Sequence, residues 1–264
     1  MDIGKDHCRV IPPIEKETGF KKFEYLRHMY GYTLVPDIKK NVHILEIGSG
    51  EGYGTRYLSE YPIKIVAIDI MKYPPYPGQQ KPSNIEYFQA LGTHLPFRSD
   101  LFDCVISFQV IEHIQNEKMF LNEIHRVLKN GGNVLITTPN RKLRLFPFQK
   151  PRNPYHIHEY SGKELYRLLR KFFDSVTILG IKTRPDLMDA EIARVKPSLL
   201  SLLPQKINLL TSRYRGEKFR AVLEYSRRRT LSENTDGFSN VELEDFYLSE
   251  DFNSGLDIVV YAKK

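Results

Sequence analysis

Glu46, the glycines at 48, 50 and 52, and Asp69 are spaced to hold a ligand that carries a nucleoside. Ile44-Leu45-Glu46-Ile47 is an apolar run too short for a helix, and it feeds Gly48-Ser49-Gly50-Glu51-Gly52. A second run, Ile65-Val66-Ala67-Ile68, ends on Asp69. Strand, glycine turn, helix and second strand form a parallel crossover whose first turn binds ligands. Glycines there let the chain reverse sharply and press backbone N–H groups against the ligand. Asp69 follows Glu46 by 23 residues, which puts its carboxylate at the tip of the second strand, within reach of both ribose hydroxyls. Two departures narrow the ligand. Tyr53 stands where a dinucleotide site has its third glycine, and Glu46 sets negative charge where a pyrophosphate would lie. The pattern suits a cationic or zwitterionic nucleoside; taken alone, the glycine run also reads as a plain tight turn.

The elements that position these residues follow from hydrophobic periodicity. Strands are predicted at 42–47, 63–68, 85–88, 102–107, 133–138, 175–181 and 256–262, with helices between them and a helical region at 18–32. Lys118 to Leu128 has the spacing of an amphipathic helix stopped by Asn130-Gly131-Gly132. A further helix over 162–172 starts with Ser161 and Glu164 in capping-box spacing.

Further motifs follow the glycine loop in order: Leu95-Pro96-Phe97, Leu101 through Ser107, Val110-Ile111-Glu112-His113, Glu123 through Gly132, and Thr137-Thr138-Pro139-Asn140. With them, residues 41–180 resemble the class I S-adenosylmethionine-dependent methyltransferases. The resemblance implies an α/β fold: a Rossmann-like seven-stranded sheet with an antiparallel last strand, helices on both faces, and a helical or irregular insertion before that strand. It divides the chain into an N-terminal helical cap (1–40), a cofactor-binding core (41–182), a basic-then-acidic insertion forming a substrate cap (183–252) and the final strand (253–264). The implied cofactor is S-adenosylmethionine. Glu46, Gly48, Ser49, Gly50 and Gly52 fall at its methionine end and Asp69 at its ribose. Where the family often has an Asp for the adenine amino group, this chain has Leu91. Adenine is left to apolar packing and to backbone groups of Leu91 and Gly92, while Ser107, Phe108 and Gln109 border the sulfonium.

A sulfonium methyl is already activated, so an in-line nucleophile about 3 Å away captures most of the rate gain. A base is needed only for a hydroxyl or a protonated amine. Glu112 and His113 stand just past the fourth strand. His156, His158, Glu159 and Tyr160 follow the fifth, where the resembled enzymes gather substrate groups. The expectation is catalysis by His113 and His156, with His158, Glu159 and Tyr160 facing the acceptor. The plainer alternatives are a helix start with His113 bonded to a backbone carbonyl, and a capped helix start at Ser161. Some relatives carry Glu-x-x-Glu-His and a divalent ion. Here Gln109 replaces the first acid, and one anionic ligand fewer weakens a hard-cation site, so no metal is assigned.

At 264 residues and 41% hydrophobic content, the chain suffices for one α/β domain with an insertion. It has no signal-peptide layout and no apolar run of about 18 residues, and a cytoplasmic location is expected. Cys8 and Cys104 are too few for a disulfide framework, and Cys104 reads as a buried thiol. Segment 181–230 holds twelve Lys or Arg against five Asp or Glu, whereas 231–257 holds eight acids and no base. Its apolar stretches, Leu199 to Pro204 and Ile207 to Leu210, read as a helical cap. The sharper alternative is a basic amphipathic surface over 194–215 that touches an anionic membrane or a lipid-linked substrate. Arg227-Arg228-Arg229 has no companion nucleic-acid motif, and a nucleic-acid partner is not expected. The expected activity is methyl transfer to a hydroxyl of a small-molecule, sugar or lipid-linked acceptor. The alternatives are an N- or RNA methyltransferase and an inactive cofactor-binding scaffold that recruits a partner or membrane.

Overall fold

The computed structural model describes residues 19–35, 42–71, 81–146, 148–195 and 235–264. Eight strands form one sheet: β1 (His43–Ile47), β2 (Lys64–Asp69), β3 (Ile85–Gln89), β4 (Phe102–Phe108), β5 (Leu128–Pro139), β6 (Ser175–Thr183), β7 (Phe246–Ser249) and β8 (Asp257–Lys263). Their order is β3-β2-β1-β4-β5-β8-β6-β7. The strands from β3 to β5 pair in parallel, and β8 lies antiparallel between β5 and β6. Chain order reverses between β1 and β4. Crossovers leave these two strands in opposite directions, and a crevice opens at their carboxyl ends.

Both faces of the sheet are covered, which is why its central strands are nearly continuous in Val, Ile and Leu. On one face Ile44, Ile65, Ala67 and Ile106 pack under α1 (Phe20–Thr33), α2 (Tyr53–Leu58) and α6 (Pro185–Val195). On the other, Leu45, Val66, Ile68 and Val105 pack under α3 (Glu117–Val127) and α5 (Gly162–Leu169). The short α4 (Arg141–Arg144) follows β5. Ser161 and Glu164 form the capping box expected at the start of α5. Cys104 is a free, buried thiol, pushed up to about 12 by burial.

The sheet differs from the sequence reading at its edge. An eighth strand, β7, pairs antiparallel with β6 inside the stretch read as insertion. At four residues between acids, it is too short for its periodicity to stand out from a loop. α3 also stops earlier than the Asn-Gly-Gly signal suggested, because Leu128 is already extended and begins β5. The N-terminal helix is part of the same core as the region before β8. The Phe23 ring, fully buried, lies 4.6 Å from that of Phe238 and 5.5 Å from that of Phe246. The surface expected at 194–215 lies outside the described residues apart from Arg194 and Val195. Among the described residues, no helix is long and apolar enough to cross a membrane.

Candidate active site

A cavity of about 410 Å³ opens in the crevice at the ends of β1, β2 and β4, within the range of small-molecule sites. Gly48, Ser49 and Gly50 form one wall, Asp69 and Met71 a second, and Leu91 and Gly92 a third. Phe108, Gln109 and His113 close the far end with Tyr155, and His28 and Tyr32 cover it from α1. Gly48 has φ 83°, and a Cβ there would collide with Val110. Its N–H and that of Ser49 donate to the Ile68 carbonyl at 2.8 and 3.0 Å, which pins the loop to β2. The Asp69 carboxylate accepts from Gly50 N–H and Met71 N–H, both at 2.9 Å. Two amides from separate segments therefore fix its direction at the cavity wall.

Two positions assigned to the cofactor do not line the cavity. Glu46 is 1% exposed and accepts from Tyr32 Oη at 2.7 Å and Thr55 Oγ1 at 2.5 Å. Burial raises its pKa despite those donors. In this arrangement Glu46 ties α1 to α2 through their hydroxyls. Gly52, at φ 82°, caps α2 beneath the Tyr87 hydroxyl. Ser107 is also turned away, donating to the Ile47 carbonyl at 3.1 Å. Gly54 explains how α1 fits: a Cβ on it would fall inside the Tyr32 ring.

The far end of the cavity is ionisable. His113 Nδ1 lies 2.9 Å from the Tyr155 carbonyl oxygen. Because a carbonyl only accepts, Nδ1 carries the hydrogen and Nε2 is the basic nitrogen. Burial pulls the His113 pKa below its ordinary value, more than the carbonyl bond raises it, so the ring is neutral at pH 7. Behind it stands His156, its ring 4.7 Å away at 82° and its Nδ1 2.8 Å from Glu159 Oε1. Burial opposes charge on Glu159, but His156 and Arg144 outweigh it and hold the acid below its usual range. His156 and Glu159 support His113 without lining the cavity. His158 instead joins Glu164 at 2.8 Å, at the start of α5, and Tyr160 is buried in the core under α3 and α5. Neither reaches the cavity wall.

His28 was missed by sequence reasoning. It lies one helical turn from Tyr32, on the same side of α1; the i, i+4 spacing was the available signal. Burial, with Arg27 and Arg144 nearby, pushes its pKa down to about 3. Also unforeseen is the buried charge behind this end. Arg27 Nε lies 3.2 Å from Asp257 Oδ2 and its Nη1 3.4 Å from Glu191 Oε1. These acids hold Arg27 protonated against the cost of burial. Glu112, 1% exposed, accepts from Thr138 Oγ1 at 2.9 Å, and burial raises its pKa to about 8. Its backbone carbonyl accepts from Ile157 and His158 N–H groups, which anchors the loop after α4. Glu112, His113 and His156 bring ligand atoms within 4.8 Å of one another. A carboxyl protonated near neutral pH and an uncharged Gln109 beside it make this trio a weak host for a hard cation.

Residues 45–136 match the family model of a methyltransferase domain. A probable S-adenosylmethionine-dependent methyltransferase of Mycobacterium tuberculosis is 30% identical over 184 residues, 69% of this chain and 66% of that relative. The match thus spans just under two thirds of the relative's length. The mitochondrial ubiquinone biosynthesis O-methyltransferase of Rattus norvegicus is 32% identical over 106 residues, 37% of this chain and 31% of that protein. Among solved structures, a complex of the Haloferax volcanii Trm112 methyltransferase activator with a putative methyltransferase aligns with a TM-score of 0.55 at 14% identity, over 92% of each chain. The [4+2]-cyclase SpnF aligns at 0.52 and 16% identity, over 98% of this chain and 87% of its own. Sheet order and crevice define a Rossmann-like fold with a cavity at its topological switch point. The chain belongs to the class I S-adenosylmethionine-dependent methyltransferase family, whose cofactor is S-adenosylmethionine. The cyclase is a reminder that this fold also serves other reactions.

Proposed function

We propose that this protein transfers a methyl group from S-adenosylmethionine to a hydroxyl oxygen of a small-molecule, sugar or lipid-linked acceptor, with His113 as base. The observation that carries the reading is the tautomer of His113 at the end of the cavity, set by the Tyr155 carbonyl. When bound, S-adenosylmethionine supplies the activated methyl. Gly48, Ser49 and Gly50 receive its methionine end, Asp69 its ribose, and Leu91 and Gly92 its adenine. His113 Nε2 takes the proton from the acceptor hydroxyl as its oxygen attacks. His156, oriented by Glu159, packs edge-on against the His113 ring and holds its position. Gln109 closes the wall between them and the glycine loop. Glu46 and Gly52 act through the shape of that loop, and His158 and Tyr160 through the fold around α5. In this reading residues 1–40 and 183–252 cap the acceptor side of the 41–182 core, and the basic insertion also offers a membrane contact. A cytoplasmic location belongs to the same proposal.

The test is calorimetry with S-adenosylmethionine, S-adenosylhomocysteine and NAD, followed by an acceptor screen with and without magnesium. Micromolar binding of the first two alone is expected. His113→Gln should lower kcat by about 10²- to 10⁴-fold and leave the cofactor Kd within about twofold. An unchanged kcat removes His113 as base. Turnover confined to amine or RNA acceptors replaces the hydroxyl reading, and cofactor binding without turnover favours the scaffold.

A further inference from the structure

The loop leaving α4 bears a feature that methyl transfer does not need. Arg141, Lys142, Arg144, Lys150 and Arg152 lie within twelve residues that contain no acid. Arg144 is ion-paired with Glu159. Among the described residues the other four have no carboxylate within ion-pairing distance. The Lys142 ammonium donates to the neutral Asn253 side chain at 2.7 Å. At the outer turn stands Phe148, 99% exposed among the described residues. It has φ 64°, a left-handed conformation that a bulky side chain adopts at a cost. Beyond it Ile157 is 53% exposed.

We propose that the described parts of this loop, residues 141–146 and 148–152, dock on the anionic interface of a lipid bilayer, with Phe148 inserted among the headgroups. Single exposed hydrophobic residues are ordinary. An aromatic ring held fully outward in a loop that carries five bases and no acid is the pairing an anionic bilayer fits, since the bases gain from its surface potential and the ring from its acyl boundary. A soluble acidic protein would have to supply an apolar pocket for Phe148 as well as the acids. The loop's return leg runs into Tyr155, which lines the cavity, and into Ile157 and His158, which bond Glu112. Docking there turns the acceptor end of the cavity toward the membrane and deepens the lipid-linked arm of the proposed function. The docking itself stands without any methyltransferase activity.

The test is co-sedimentation of the full chain with vesicles of phosphatidylcholine containing about one third phosphatidylglycerol, read without cofactor or acceptor. Wild type should partition to these vesicles and not to pure phosphatidylcholine, and added salt should release it. Lys150→Glu with Arg152→Glu should lower partitioning about 25-fold or more, at about fivefold per base near an anionic surface. Phe148→Ser should lower it about three- to tenfold. Calorimetric cofactor binding by each variant checks that it is folded. No partitioning by wild type overturns the proposal. So does partitioning that ignores all three substitutions, which would move the contact to residues 196–234. Loss with the charge reversals but not with Phe148→Ser would mark a general polyanion surface and likewise overturn the insertion.

Discussion

The two ends of the cavity are made of different material. Around the glycine loop the walls are backbone: Gly48, Gly50 and the amides that grip Asp69. Around His113 they are ionisable side chains backed by Glu112, His156, Glu159 and the buried Arg27. The first end can be written in consecutive residues because a turn and two strand tips supply it. The second needs groups from α1, β4, the loop after α4, α6 and β8. The contrast teaches which part of the cavity a short stretch of sequence can specify and which part needs the whole fold. Shape is local, whereas charge placement is a property of the whole fold.

Several substitutions test that contrast. Arg27→Met, behind the His113 end of the cavity, leaves Asp257 buried without its ion-pair partner and Glu191 with Arg194 alone. Stability should fall by about 3–5 kcal/mol, measured by denaturant titration; a loss under about 1 kcal/mol would show that the buried charges are not interdependent.

Glu112→Gln should separate the ends by pH. The folded carboxyl titrates at about 8, above its ordinary 4.5, so the native state binds the proton more tightly than the unfolded chain. Wild-type stability from this group is full below about 4.5, declines through about 8 and is flat beyond. The glutamine variant lacks this decline. Its Tm relative to wild type should rise between pH 5 and 9, and a constant difference would refute the protonated Glu112.

At the cofactor end, Gly54→Ala should cost about 1–3 kcal/mol, because the Tyr32 ring must move. Gly50→Ala should cost about 1 kcal/mol, because its φ of 53° is unfavourable for alanine but no atom lies within 4 Å of the new Cβ. Equal costs would mean that α1 is not seated on the loop through Tyr32. Asp69→Ala should weaken cofactor binding by about 1–3 kcal/mol through an unpaired ribose diol. Calorimetry decides this, and unchanged affinity would reassign the residue.

From its sequence alone, this chain determined the parallel sheet, the glycine turn, the capped start of α5 and the placement of Asp69 at a strand tip. The turn and the cap depend on residues a few positions apart and Asp69 on a 23-residue spacing within one crossover, where periodicity and backbone freedom act directly. Glu46 was legible as a special acid, but its partners were not. Tyr32 and Thr55 reach it from two helices, and only packing decides whether a carboxylate faces a ligand or two hydroxyls. The same holds for His156, His158, Glu159 and Tyr160, consecutive or nearly so yet sent in different directions. Glu112 fixes the loop by its carbonyl, and α5 draws His158 to Glu164. Arg27 and Asp257 stand at nearly opposite ends of the described chain and carry no mutual signal in one sequence. Their meeting is decided by the tertiary structure, because burying either charge is tolerable only where the fold delivers the other.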